Sequence, residues 1–469
     1  MTNNTIAAIS TPLGPGGIGV VRISGPCAYT IMKRLFLRKQ PCRPRYGRSS
    51  EENQFRSHFV YYGHLVEPLN QTIIDEALAI YMKGPKSFTR EDVVEFHSHS
   101  GFVVLDRILH LVVDAGAVLS APGEFSKRAF LNGRIDLTQA EAVIDLINAP
   151  CEFAVQMASH QVAGGLRDVL AALTATITRL QAVCEANIEF DESVEDDPVH
   201  STVQEMLSQS ILPEVTELIK RQKDTAIFKE GVLLAIAGAP NVGKSSLLNR
   251  LVERETAIVS EVPGTTRDIV RDYFSINGVP VVICDTAGIH DTQDPIECLG
   301  IKKARDHFHR ADIVLLVVEA SRKLNAFEKN LIEELQHTRM IVVINKDDIA
   351  DDDAVADTQQ ITQHIPQAKV SAKTGHGVAN LKGLIFKDLV SGKNRGDHGG
   401  ATPNLRQRII LEKTMRELQR CLAAAETEQP LDVISGLLTE VLHLLDGISG
   451  RRKTEDLYDH IFSQFCIGK

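Results

Sequence analysis

The 469-residue sequence has no tryptophan and is poor in other aromatics, so its cores must be filled mainly by aliphatic side chains. No unbroken apolar run approaches the ~20 residues of a membrane span. The opening Met1-Thr2-Asn3-Asn4-Thr5 lacks the basic and apolar regions of a secretory signal. A cytoplasmic chain with no membrane attachment is expected. The cysteines, at 27, 42, 151, 184, 284, 298, 421 and 466, include no C-x-x-C pair and no zinc-type cluster with histidine. Most read as small buried hydrophobes or unpaired thiols of a reducing compartment. Net charge is −10 and the pI about 5.9, which excludes attachment to nucleic acid by bulk charge. One local exception stands out. Residues 33–48 hold Lys33, Arg34, Arg38, Lys39, Arg43, Arg45 and Arg48 with no acid. This stretch reads first as a solvated basic loop, with RNA contact as the alternative.

What the sequence does contain is a phosphate-binding pattern. Gly238-Ala239-Pro240-Asn241-Val242-Gly243-Lys244-Ser245 fits G-x-x-x-x-G-K-S. An apolar run, 232–237, precedes it, and a helix-like stretch, Ser246 to Arg254, follows it. Strand, glycine loop and helix in that order are the context the motif requires. Backbone N–H groups of such a loop wrap phosphates, and the helix N-terminus favours negative charge. Lys244 is placed to reach the β- and γ-phosphates, and Ser245 to ligate Mg²⁺. Ser246 continues the site.

Downstream residues name the nucleotide. Asp285-Thr286-Ala287-Gly288 ends the apolar strand 279–284, so Asp285 can hold Mg²⁺ through water and the Gly288 N–H can meet a γ-phosphate. Asn345-Lys346-Asp347-Asp348 fits N-K-x-D. The Asp348 carboxylate can accept both the N1–H and the 2-amino group of guanine, a donor pair that adenine lacks. Ser371-Ala372-Lys373 suits a backbone contact to guanine O6. Between the first two motifs, Gly264-Thr265-Thr266 can complete a Mg²⁺ shell through a threonine, and the flanking Ser260, Glu261, Val262 and Pro263 complete the GTP-contact set. GTP binding is the reading of these motifs together.

Length predicts two to four domains. Residues 1–130 mix short apolar runs with glycine turns and read as α+β. Residues 131–229 and 393–469 show helical spacing, with the stripe Leu411, Met415, Leu418 and Leu422 in the second part. Residues 230–392 alternate strands and helices, as a parallel sheet requires. The expected fold is therefore multidomain. It has an α+β N-terminal domain, an α-helical domain built from two parts, and a Ras-like α/β P-loop GTPase domain inserted between them.

Further motifs carry a family resemblance. They are Thr11 to Gly25, Ser87-Phe88-Thr89-Arg90-Glu91-Asp92, Pro122 to Ser126, Arg128 to Asn132, and the last residues Cys466-Ile467-Gly468-Lys469. With the nucleotide motifs, they make the chain resemble, from end to end, the bacterial tRNA-modification GTPase family MnmE, also called TrmE. The resemblance implies a homodimer joined by its N-terminal domain. It implies a flavoprotein partner, MnmG or GidA, and action on the wobble uridine of certain tRNAs. There the pair adds an aminomethyl or carboxymethylaminomethyl group at C5. A 5-formyl-tetrahydrofolate-type one-carbon donor is implied for the N-terminal domain, with contacts from Arg22, Glu95, Arg134 and Lys469. Basic side chains suit the glutamate tail of a folate, and a carboxylate suits pterin N–H donors. Cys466 is implied in the modification chemistry.

The residue after Gly288 is Ile289, which cannot orient water as the Ras-like glutamine does. The family places a switch II glutamate in that role, here Glu297. A K⁺ ion held by Asn241, Ser260, Val262 and Thr265 is implied in place of an arginine finger, with Mg²⁺ on Ser245 and Thr266. His290 stands where many members have arginine. The alternative function is a GTPase regulator of ribosome or RNA assembly.

Overall fold

The computed structural model describes residues 4–14, 16–39, 54–189, 199–252, 273–276, 278–283, 308, 311–390, 400–451 and 455–469. Its first sheet is built from β1 (Ile6–Ile9), β2 (Gly19–Ser24), β3 (Phe36–Arg38), β4 (Val60–Val66), β5 (Ile73–Met82), β6 (Val93–Ser98) and β7 (Val118–Leu119). The strand order is β3-β4-β5-β6-β2-β1-β7, antiparallel except where β1 meets β7. Alternation decides the two faces. Val21, Ile23, Ala79, Val94 and Phe96 turn toward α1 (Ala28–Leu35) and α2 (Phe102–Asp114), whose Ile31, Met32, Leu105 and Ile108 complete that core. The opposite face carries the cross-strand row Ala8, Arg22, Glu95, Ile80 and Val60. Val60, Tyr62 and Leu78 on this face are exposed. Of the basic stretch, Lys33 and Arg34 close α1, while Arg38 lies 5.0 Å above the Tyr61 ring. Lys39 pairs with Glu76 at 3.0 Å.

Helices α3 (Glu124–Leu131), α4 (Leu137–Ile147), α5 (Glu152–Val162), α6 (Gly165–Glu189), α7 (Val199–Met206) and α8 (Leu212–Glu230) follow. An Asp136–Gln139 capping box starts α4, satisfying two of the free N–H groups at its first turn. A π-helical turn, Leu207–Ile211, joins α7 to α8, so helix runs on from Val199 to Glu230, at the end of the helical stretch expected at 131–229. Pro213 sits just after it. Proline lacks an N–H and its ring crowds the carbonyl four residues back, and the wider turn accommodates both.

The second sheet holds β8 (Val232–Ala237), β9 (Tyr273–Ile276), β10 (Val279–Ile283), β11 (Ile313–Glu319), β12 (Met340–Asn345) and β13 (Gln367–Lys369), with α9 (Lys244–Val252), α10 (Ala326–Glu334), α11 (Asp352–Ile361) and α12 (Val378–Val390). Its order is β13-β12-β11-β8-β10-β9, parallel apart from the β9–β10 hairpin. The central strands are near-continuous buried aliphatics, as expected when both faces are covered. Chain order reverses direction about β8, so the loop after it lies at the switch point where α/β sheets bind ligands. The expected helix at 246–254 begins two residues earlier, at Lys244.

Helices α13 (Leu405–Glu426), α14 (Leu431–Ser449) and α15 (Glu455–Ser463) complete the described chain. Leu411, Leu418, Ile434, Leu438 and Leu445 share one core with Leu170, Leu173, Ile177, Val203 and Val215. Helical sequence on both sides of the second sheet thus packs together. By length and composition alone α6 could cross a membrane. Its apolar stripe, Leu166, Leu170, Leu173, Ile177 and Leu180, is instead buried in this helical core.

Candidate functional site

The loop after β8 takes backbone conformations that only glycine accommodates easily. Gly238 and Gly243 have φ of 144° and 93°. A Cβ on Gly238 would collide with the Val317 carbonyl, and one on Gly243 with the Asn345 side chain. Glycine therefore lets the loop close against β11 and against the N-K-x-D segment. Asn241 has φ of 63°, a left-handed conformation costly for a side-chain-bearing residue and frequent at functional sites. The Lys244 ammonium donates to the carbonyls of Gly238 at 3.1 Å and Ala239 at 2.8 Å. Ser245 follows in the first turn of α9, and Ser246 after it.

Asn345 ties three segments together. Its Nδ2 donates to the Val242 carbonyl at 2.8 Å, and its Oδ1 accepts from the Ala372 N–H at 3.0 Å. It is buried, so both bonds are protected from water. Lys346 donates to Glu319 at 2.8 Å, which holds that carboxyl below its ordinary range. Asp348 is exposed and accepts from the Ser371 hydroxyl at 2.6 Å, which also lowers its pKa. The structure thus brings Val242, Asn345, Asp348, Ser371 and Ala372 into one constellation. Arg250 was not anticipated. From α9 it donates to the carbonyls of Ala372 at 3.1 Å and Lys373 at 2.8 Å, clamping that loop to the helix after the phosphate loop. Ser260, Glu261, Val262, Pro263, Gly264, Thr265, Thr266, Asp285, Thr286, Ala287, Gly288 and Glu297 lie outside the described residues.

A second constellation lies on the open face of the first sheet. Arg22 and Glu95 are register partners, with Arg22 Nε 2.8 Å from Glu95 Oε1. His97 Nε2 lies 3.2 Å from the other carboxylate oxygen. The hydrogen bond to His97, followed by the Arg22 charge, pulls the Glu95 pKa down to about 2 against the opposing effect of burial. Arg22 also donates to the Gly468 carbonyl at 3.2 Å, and the Ser10 hydroxyl reaches the same oxygen at 3.2 Å. A Cβ on Gly468, at φ of 88°, would collide with the β1 backbone, so glycine permits this close approach. The tail therefore brings exposed Cys466 and half-buried Lys469 to the Arg22–Glu95 row. Arg134 lies on a neighbouring wall, whose Phe88 packs on the cluster of Ala8 and Phe125 beside this row. It donates to the Ser87 carbonyl at 2.7 Å and covers the Phe88 ring at 5.1 Å.

Behind that wall lies a hub whose side chains fall within the motifs that carry the resemblance, but whose pairing the sequence did not show. Buried Arg128 donates to the Asn4 carbonyl at 2.8 Å, to Glu91 Oε2 at 3.1 Å and to Glu124 Oε1 at 2.9 Å. Glu91 accepts in turn from the Ser24 hydroxyl at 2.7 Å. Asn132 Nδ2 donates to the Thr89 carbonyl at 2.6 Å, completing the fixation of residues 87–91.

Two family models match the chain: the GTP-binding protein TrmE N-terminus at residues 5–134, and the MnmE helical domain at residues 137–466. The tRNA modification GTPase MnmE of Desulfotalea psychrophila is 40% identical, covering 100% of this chain and 98% of its own. That of Carboxydothermus hydrogenoformans is 37% identical, covering 100% of both. Among solved structures, the G domain of the T. maritima FeoB iron transporter is 27% identical over 33% of this chain and 97% of its own, with a TM-score of 0.23. With two family models covering the two constellations and relatives aligned along the whole sequence, the chain belongs to the MnmE (TrmE) family of tRNA modification GTPases.

Proposed function

We propose that this chain hydrolyses GTP and, with a flavoprotein partner, adds a carboxymethylaminomethyl or aminomethyl group at C5 of the wobble uridine of certain tRNAs. The observation that carries it is the convergence of the C-terminal tail on the Arg22–Glu95 row, in a chain that also builds the guanine constellation. A regulator of ribosome assembly needs the guanine constellation but not the Arg22–Glu95 row. We divide the chain accordingly into an N-terminal domain at 1–130, a helical domain at 131–229 and 393–469, and a G domain at 230–392.

In the G domain, residues 241–246 would hold the phosphates, and Asp348 with Ser371, Ala372 and Lys373 would read guanine. Mg²⁺ would be held by Ser245 and Thr266. The tight loop and the hydroxyl beside it suit a phosphate-bound cation. K⁺ would be held by Asn241, Ser260, Val262 and Thr265, where it supplies positive charge to the transferring phosphate. The left-handed turn at Asn241 supports that assignment. GTP turnover should then be well above the rate in Na⁺ when K⁺ is supplied at equal ionic strength. Equal rates would remove the cation from the site.

A one-carbon folate would be held by Arg22, Glu95, Arg134 and Lys469. Glu95 stays ionised and aimed by Arg22, as an acceptor for pterin donors must be. Homodimerisation through the N-terminal domain is supported by exposed Val60, Tyr62 and Leu78 on the same face as Arg22. A cytoplasmic location accords with action on tRNA. Glu297 would orient the attacking water, so Glu297→Ala should lower kcat about 10²-fold with little change in GTP affinity. Mass spectrometry of tRNA nucleosides tests the whole reading. Cells lacking the chain should lose the modified wobble uridine, the wild-type chain should restore it, and the Glu297→Ala variant should not. Full restoration by that variant would separate hydrolysis from modification.

A further inference from the structure

Helix α4 carries Glu141 and Asp145, one turn apart on one face, a like-charge arrangement that is unfavourable by itself. Each carboxylate is answered from a different crossing between the helical part and the second sheet. Arg406, at the start of α13, gives Nε to Glu141 Oε1 at 2.6 Å and Nη2 to Oε2 at 2.9 Å. It also reaches the Gly447 and Ile448 carbonyls at 3.2 Å, and Gln407 adds a bond to Glu141 at 2.6 Å. Lys229, at the end of α8, gives a single bond to Asp145 at 2.7 Å. Only Gly231 separates α8 from β8. The two pairs differ in kind. Glu141 is 9% exposed and held by a fork, whereas Asp145 is 33% exposed and held at one point. Gln161 Nε2, which has no partner among the described residues, lines the same polar cleft as Asp145 and Lys229.

The segment just after α4 packs on the core of the second sheet, and the first turns of α4 pack on the helix that leads to the C-terminal tail. At one end, Cys151 Sγ donates to the Phe228 carbonyl at 3.5 Å, and the Phe153 and Phe228 rings lie 4.2 Å apart. Cys151, Ala154 and Phe228 share the core of β8 and β10, and in sequence β10 leads on to Asp285. At the other end, Leu137 and Ala140 pack on Tyr458, Ile461, Phe462 and Phe465. The chain then runs to Gly468, gripped by Arg22. A helix of this length spans about 16 Å.

We propose that α4 is a lever, with Glu141–Arg406 as its fixed point and Asp145–Lys229 as a breakable latch, through which the nucleotide module moves the C-terminal tail beside Arg22. The proposal rests on the function above only for the purpose of that movement. The link itself is read at Cys466, which is exposed. The full chain is treated with iodoacetamide in GDP or in a non-hydrolysable GTP analogue, and the Cys466 peptide is followed by mass spectrometry. The two rates should differ about fivefold or more in the wild type, the lower end of ordinary coupling between sites. Lys229→Met and Asp145→Asn should each bring the ratio near one while GTP turnover and melting temperature hold. The reversed pair, Lys229→Glu with Asp145→Lys, should restore it. A wild-type ratio of one, or single variants that keep the full ratio, would overturn the latch. So would a ratio that merely follows lost stability across the variants, or a stable reversed pair that restores nothing. Failure of the wobble-uridine reading would appear elsewhere, as unchanged tRNA nucleosides, and would leave the Cys466 ratio intact.

Discussion

Asp348→Asn should weaken GDP binding by about 30- to 1,000-fold, the range expected for losing a charged hydrogen-bond partner in a binding site. The carboxylate is exposed, and the hydrogen bond from the Ser371 hydroxyl lowers its pKa, so it meets the guanine donors as an anion. An amide at this position replaces one acceptor with a donor that faces the guanine 2-amino group. The same amide suits xanthine, whose carbonyl at that ring position accepts. Xanthosine diphosphate should therefore gain affinity as GDP loses it. Calorimetry with both nucleotides decides the matter, and unchanged GDP affinity would remove Asp348 from base recognition.

Arg128→Met should destabilise the first sheet by about 3 kcal/mol, the lower end of the cost of stripping one partner from a buried ion pair. The lower end applies because Glu91 and Glu124 each keep about a quarter of their side-chain surface in water. Both carboxylates would be left facing each other across the vacated centre, and the Asn4 carbonyl would lose its donor. Residues 87–91 would loosen, and with them the Ser87 carbonyl and Phe88 ring that position Arg134. Hydrogen exchange should show faster opening of β1, β2 and β6 with β11 and β12 unchanged. Arg128→Lys should recover part of the loss, since charge returns without the fork. Unaltered protection in β2 would mean the hub is not what holds this wall.

The contrast between these two residues shows what a sequence reveals. Asn345 and Asp348 were legible as a motif of fixed spacing, and the structure sets them beside Ala372 and Ser371; Gly238 and Gly243 were legible because the loop demands their φ values. The helical core was legible from its apolar spacing, including its continuation after the inserted sheet. Arg128, Arg250 and Lys229 carry no such signature. Arg250 binds two backbone carbonyls, which any sequence supplies. Arg128 also pairs with Glu124 on its own helix, but it finds Glu91 37 positions away and Lys229 finds Asp145 84 positions away, and no spacing announces those long-range pairs. The π-helical turn before Pro213 was equally hidden, because its apolar spacing reads as ordinary helix. Resemblance pointed to Arg22, Glu95 and Lys469, but the hold of Arg22 on the Gly468 carbonyl is a fact of three dimensions.

The helical core skips in sequence from Leu218 to Ala401. On the ribosome that spacing becomes a delay. At about 5–20 residues per second, the roughly 180 intervening residues take about 10–40 s to synthesise. Throughout that interval α6 to α8 have emerged with their leucine stripe uncovered, while the nucleotide module can already complete its own sheet. The nascent chain should therefore lean on a chaperone for its helices and not for its GTPase. Slowed translation within residues 230–400 should lower the yield of folded protein more than the same slowing within residues 1–130.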